Sequence, residues 1–253
     1  MENPHVTLHG EKIEIMGGYL DLRSRGIKDI SEIEGLENAT DLQSLLLSQN
    51  EITEIKGLDK LTKLIYLDLG NNKIKEVKGL EKLTNLQTLY LSVNPIKEIQ
   101  GLATLTNLQL LHIGQSNIEE IKGLENLKSL QTLDIMQAKI KEIKGLETLT
   151  NLQSLSLSDN KMEEIKGLEK LTNLQRLFLE MDKIKEIKGL DTLTNLIDLN
   201  LSGNKIKELR GLGNLTKLES FYMYDNQVKD KKELEIIEQG AQAAVKYCQE
   251  KKK

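Results

Sequence analysis

Gly35, Gly57, Gly79, Gly101, Gly123, Gly145, Gly167, Gly189 and Gly211 fall at a constant interval of 22 residues, and a leucine follows each one. A strict period of this size marks a chain built from copies of one small unit, each too short to bury its own apolar side chains and each stacked on its neighbours. The first copy breaks step. "IKDISEIEGL" holds Ser31, Glu32 and Ile33 where "ITEIKGL", starting at Ile52, has no counterpart, as an end unit is expected to. The period predicts ten units, the last truncated after Val228.

Each unit has two halves with different periods. In "LQRLFLEMDKI", from Leu174, Leu177 and Leu179 alternate with Arg176, Phe178 and Glu180, the pattern of a short strand with one buried face. Ile184, Ile187, Leu190 and Leu193 then recur at intervals of three. An α-helix would mix threes and fours, so this half is expected to form extended or 3₁₀-like turns. The expected fold class is an α/β repeat solenoid, with parallel strands along one side and turns along the other. Its divisions are an N-terminal β-hairpin cap over 1–19, ten repeats over 20–228, and a C-terminal capping helix with a basic tail over 229–253.

Both caps have sequence signals. Val6, Leu8, Ile13 and Ile15 alternate around His9-Gly10, which predicts a hairpin. Asp230 followed by Glu233 predicts a capping box, and Leu234, Ile237, Ala241, Val245 and Cys248 predict one face of a lid helix. The final "KKK" is expected to be a solvated tail at the favourable end of that helix dipole.

Cys248 is the only cysteine, so no intramolecular disulfide is available. The opening "MENPHVTLHGEKIEI" has no apolar leader segment, and no stretch approaches the roughly 18 apolar residues of a membrane span. A cytoplasmic location and no membrane partner are expected.

The pattern "LIDLNLSGNKIKELRGLGNL", Leu196 to Leu215, resembles a leucine-rich repeat, and the likeness extends over nearly the whole chain. The second half of the unit, "NKIKEVKGLEKLTNLQ" from Asn72, is most similar to the SDS22-like class, named after a regulatory subunit of protein phosphatase 1. The resemblance implies a curved horseshoe with a concave parallel sheet and a 3₁₀/turn-rich convex side. It also implies a non-enzymatic module that binds protein partners on the concave face, with a phosphatase catalytic subunit as the leading partner. The alternatives are a scaffold for another partner, such as a small GTPase or a cytoskeletal protein, or an exported internalin-like adhesin, since internalins use a similar 22-residue unit.

Fixed leucines at the first, fourth and sixth positions must point inward for the stack to close, which leaves the residues between them free to carry function. One outward column reads Leu46, Asp68, Tyr90, His112, Asp134, Ser156, Phe178, Asn200 and Tyr222. The next reads Ser48, Gly70, Ser92, Gly114, Met136, Ser158, Glu180, Ser202 and Tyr224. Tyr19, Tyr66, Tyr90, Tyr222, Tyr224 and Phe178 share this surface with eight acids (Asp21, Asp68, Asp134, Asp159, Glu180, Asp198, Glu219, Asp225), against the bases Arg23 and Arg176 and no lysine. Rings without lysine match the composition of interface cores.

The candidate partner-binding residues are Tyr66, Asp68, Tyr90, His112, Asp134, Met136, Arg176, Phe178, Glu180, Asp198, Tyr222 and Tyr224, with a hot spot expected around Phe178. The expected partner is a protein with a basic, partly apolar surface, met by a monomer of this chain. An acidic, lysine-free face repels nucleic-acid phosphates. No enzyme, cofactor or metal is expected: His5 and His9 lie in the cap, His112 lies alone in the sheet, and the regular glycines serve turns rather than a phosphate loop. Finally, Asn50, Asn72, Asn94, Asn160, Asn204 and Asn226 occupy a turn position whose amide reaches neighbouring units, and Ser116 and Ala138 interrupt that ladder.

Overall fold

A computed structural model describes residues 4–251. The chain divides into two compact units, the first formed by residues 1–118 and 122–130 and the second by 119–121 and 131–253. Each is a parallel-stranded solenoid. The division falls between Ser116 and Ala138, two adjacent ladder positions that lack an amide.

Unit 1 opens with the hairpin β1 (His5–Leu8) and β2 (Glu11–Glu14), paired antiparallel with Val6 opposite Ile13. Val6, Leu8 and Ile15 are buried. The extra residues of the first repeat have a structural task. Asp29 caps a short 3₁₀ turn, Ile30–Glu32, in a full capping box with Glu32, and the chain leaves that turn as β4 (Ile33–Glu34). Strand β4 then pairs with the free edge of β1, giving the order β2-β1-β4. The insertion thus ties the cap to the repeats and blocks an exposed strand edge.

The parallel strands of unit 1 are β3 (Tyr19–Asp21), β5 (Ser44–Leu46), β6 (Tyr66–Asp68), β7 (Thr88–Tyr90) and β8 (Leu110–His112). Unit 2 carries β9 (Thr132–Asp134), β10 (Ser154–Ser156), β11 (Arg176–Phe178), β12 (Asp198–Asn200) and β13 (Ser220–Tyr222), each in register with the next at a 22-residue step. Opposite the strands the three-residue period becomes a run of turns: Leu83 N–H donates to the Leu80 carbonyl and Leu86 N–H to that of Leu83, both at 2.9 Å. The inward residues of one repeat, Leu67, Leu69, Ile74, Val77, Leu80, Leu83 and Leu86, are all fully buried.

The asparagine ladder locks successive turns. Asn72 Oδ1 accepts from Ile52 N–H at 3.0 Å, and its Nδ2 donates to the carbonyls of Leu47 and Leu69, each at 3.0 Å. One side chain therefore satisfies three buried backbone groups in two repeats. The residue before each rung is left-handed, including Val93 at φ 61°.

The C-terminal cap differs from the expected single helix. The segment forms α1 (Lys231–Glu238) and α2 (Ala241–Glu250), broken at Gly240, whose φ of 94° and ψ of −169° no helix accommodates. The buried face belongs to α2 (Ala241, Ala244, Val245, Cys248), whereas Leu234 is exposed. Asp230 caps α1 by accepting from Lys232 and Glu233 N–H. Glu233 does not close a capping box. It is buried and instead accepts from Leu209 N–H, the Tyr247 hydroxyl and Lys251 Nζ. Lys251 also lies over the Tyr247 ring, so the first lysine of the supposed free tail is part of the cap. Lys252 and Lys253 lie outside the described residues.

Candidate functional site

Strands of three residues with a buried centre present their first and third side chains away from the core. Strand register then stacks equivalent positions side by side. In unit 1 Asp68 stands beside Tyr90 and Tyr90 beside His112. In unit 2 the column runs Asp134, Ser156, Phe178, Asn200, Tyr222, with Arg176 beside Asp198 in the parallel column.

Unit 1 brings three of the expected residues into ring contact. Tyr66 and Tyr90, diagonal across β6 and β7, pack with centroids 5.6 Å apart, and Tyr90 meets His112 edge-on at 4.9 Å. Burial pushes the Tyr66 hydroxyl above its ordinary value, with Tyr90 and Asp68 adding to it. Asp68 Oδ1 accepts from Gly70 N–H at 3.0 Å, and Asp134 Oδ1 accepts from Met136 N–H at 2.9 Å, so each carboxylate is held by its own turn.

In unit 2 Tyr222 and Tyr224 lie with centroids 6.2 Å apart and are 45% and 60% exposed. Glu180 accepts from the Ser158 hydroxyl at 2.6 Å. Phe178 stands in register between Ser156 and Asn200 rather than among rings. Within unit 2 the Tyr222 and Tyr224 rings extend the patch expected around Phe178 across β13.

Three expectations about this surface need correction. Leu46 is 8% exposed although it falls in the outward column. In the second column Ser48 and Ser158 are buried, whereas Ser92 and Ser202 are half-buried, and Ser158 is held by its bond to Glu180. Finally, Arg23 is not a free base on the face: it forms a two-point ion pair with Asp21, at 2.6 and 2.9 Å, which holds the Asp21 carboxyl below its usual range.

The acids are unevenly divided. On unit 1 the face carries Asp21 and Asp68 against Arg23, a net of −1; on unit 2 it carries Asp134, Asp159, Glu180, Asp198, Glu219 and Asp225 against Arg176, six acids less one base, a net of −5. Among the described residues no group of three or more His, Cys, Asp or Glu could hold a metal ion, and no helix is long and apolar enough to cross a membrane.

Sequence reading missed Asp182. It occupies the ladder position between Asn160 and Asn204 and is 6% exposed. The signal was the 22-residue grid itself, on which position 182 is a rung whatever residue fills it.

A family profile described as a leucine-rich repeat region matches residues 36–177, and a second, for two copies of the leucine-rich repeat, matches 194–235. The chain belongs to the leucine-rich repeat family. Among solved structures, the internalin InlF of Listeria monocytogenes is similar at 29% identity with a TM-score of 0.77, covering 90% of this chain and 64% of that one. Internalin C2 of the same organism is 30% identical with a TM-score of 0.59, covering 81% of this chain and 80% of its own. TLR13, solved in complex with ssRNA13, is 27% identical with a TM-score of 0.70, and the match covers 32% of that protein. No curated protein matches the chain. Leucine-rich-repeat proteins are generally interaction modules rather than enzymes.

Proposed function

We propose that the strand face of unit 2 binds a protein with a basic, partly apolar surface. One observation carries this reading: Tyr222 and Tyr224 are exposed on a lysine-free face whose net charge is −5, from six acids less one base. Rings supply contact area at low entropic cost, and the surrounding carboxylates steer a cationic partner and favour its register. Arg176, Phe178, Glu180 and Asp198 extend the patch from Tyr222 across β11 and β12. The Tyr66–Tyr90–His112 row of unit 1 offers a second, more apolar surface.

The likeness to two internalins supports the reading of this chain as an internalin-like adhesin. The phosphatase-subunit reading rests on the wording of the repeat's second half alone. Capture from native cells with wild type and Tyr222→Ala/Tyr224→Ala identifies the partner, whose affinity is then measured with purified proteins. Losing a buried interface ring costs about 2 kcal/mol or more, roughly a thirtyfold drop in affinity. Glu180→Lys should slow association, most strongly at low salt, while Lys185→Glu on the turn side should leave binding intact. Equal losses in Lys185→Glu and in the tyrosine variant would refute the assignment of the face.

A further inference from the structure

Asp182 breaks the chemistry of the buried ladder without breaking its geometry. An asparagine rung uses both ends of its amide: Asn204 Oδ1 accepts from Ile184 N–H at 2.9 Å, while its Nδ2 donates to the carbonyls of Leu179 and Leu201 at 2.7 and 3.0 Å. Asp182 keeps the accepting half, with Oδ1 taking Met162 N–H at 2.9 Å. The donating half is missing. Its Oδ2 is buried and has no hydrogen-bond partner.

Ladder register, 25 and three residues back, sets that oxygen at the carbonyls of Leu157 and Leu179. Leu157 already accepts from Asn160 and Leu179 from Asn204, each at 2.7 Å, and a carbonyl, being an acceptor only, has no hydrogen to offer Asp182. An ionised carboxylate here is an anion out of water whose free oxygen faces only acceptors. A protonated carboxyl carries the one O–H that the position calls for.

We propose that Asp182 is a proton-operated rung: protonated, it donates to the Leu157 or Leu179 carbonyl and closes the ladder between the turns after β10 and β11; ionised, it loosens them. Its surroundings favour the proton. Burial pushes the carboxyl up to about 7, the N–H groups of Met162 and Asn160 pull the other way, and Asp159 and Glu180 push upward again. Those two acids are the charges facing it from the preceding turn and its own. The following turn brings Gly203 and Asn204, both uncharged, and Lys161, Lys183 and Lys205 are exposed at the surface.

The folded carboxyl binds its proton more tightly than the unfolded one, whose ordinary value is 3.8. The contribution of this rung is therefore complete below about pH 4, declines as pH rises toward about 7, and is lost above that. This trend is opposite to that of the ion-paired surface carboxylates, so it is read as a difference between two proteins that share them.

The test is thermal unfolding of the full chain and of Asp182→Asn, which installs the amide every other asparagine rung uses, from pH 4.5 to 8.5. The variant's advantage in melting temperature should widen by several degrees between pH 4.5 and pH 7.5 and then stay level. A parallel ¹³C titration of side-chain carboxyls should show one resonance with a midpoint far above the ordinary aspartate range, absent from the variant. An advantage that does not change with pH, or an Asp182 midpoint in the ordinary range, would overturn the proposal.

Discussion

Two alanine substitutions at equivalent glycines separate the two reasons for the 22-residue glycine series. Gly57 and Gly101 both sit in the left-handed region, at φ 78° and 71°. Alanine at either site therefore takes on the same backbone strain, about 1–2 kcal/mol. Their surroundings differ. A Cβ on Gly101 would stand 2.1 Å from the Val77 carbonyl oxygen and 3.0 Å from its carbon, whereas at Gly57 nothing lies within 4 Å. The obstacle at Gly101 is backbone, so no side chain can rotate away. Relief requires one repeat to shift against the next by about 1 Å, an overpacking cost of about 1–3 kcal/mol above the strain.

Gly57 escapes because the preceding repeat is the one interrupted by Ser31–Ile33, whose chain turns away to form β4. In a chain of this size each kcal/mol moves the melting temperature by about 2–4 °C. Gly57→Ala should lower it by about 4 °C and Gly101→Ala by about 10 °C or more, measured by calorimetry or circular dichroism. Shifts within about 2 °C of each other would show that the glycines are kept for left-handed φ alone, and that the repeats are less tightly stacked than the 2.1 Å approach implies.

Val93 is β-branched yet left-handed at φ 61°, and Val93→Asn, the residue found at Asn71, should stabilise the protein by about 1 kcal/mol in denaturant melts. Ser116 leaves its Oγ buried and unpaired; Ser116→Asn should supply the amide that Asn94 gives to Leu69 and Leu91, raising stability by about 1 kcal/mol and slowing amide exchange at Ile96. Glu233→Ala should cost about 3 kcal/mol, because it strands the buried Leu209 N–H and removes the partner of Lys251, with early melting of α2 seen by exchange. Glu233→Gln should recover part of that loss by keeping the acceptor.

Strand positions were legible because a three-residue strand needs only alternation, and the buried centres Leu67, Leu89 and Leu177 sit where that alternation puts them. The turn half was legible for a similar reason, since a strict three-residue period excludes an α-helix. Legibility ended where a residue's role depends on distant chain. Glu233 stands three residues after Asp230, as a capping box requires, yet its carboxylate serves Leu209, 24 residues earlier. Gly240 was readable as a helix breaker only by giving its missing side chain more weight than the apolar spacing of Ile237, Ala241 and Val245. The insertion at Ser31 was visible as an irregularity, but its pairing with β1 is a contact between segments that no local pattern encodes.

The surface shows the same limit in a sharper form. Which residues point outward follows from period two, but how far each is available does not: in one column Ser48 and Ser158 are buried, Ser92 and Ser202 are half-buried and Tyr224 projects. Charge behaves likewise. Arg23 ties up Asp21 in an ion pair that no spacing announces, while the excess of acids on unit 2 is already a property of the residue types. Asp182 was overlooked because the ladder was read by residue type, as a row of asparagines, rather than by position. One atom separates an aspartate from an asparagine. In water that difference is a surface charge, but at a buried rung it exchanges a donor for an acceptor, and the protein can restore the donor only by keeping a proton.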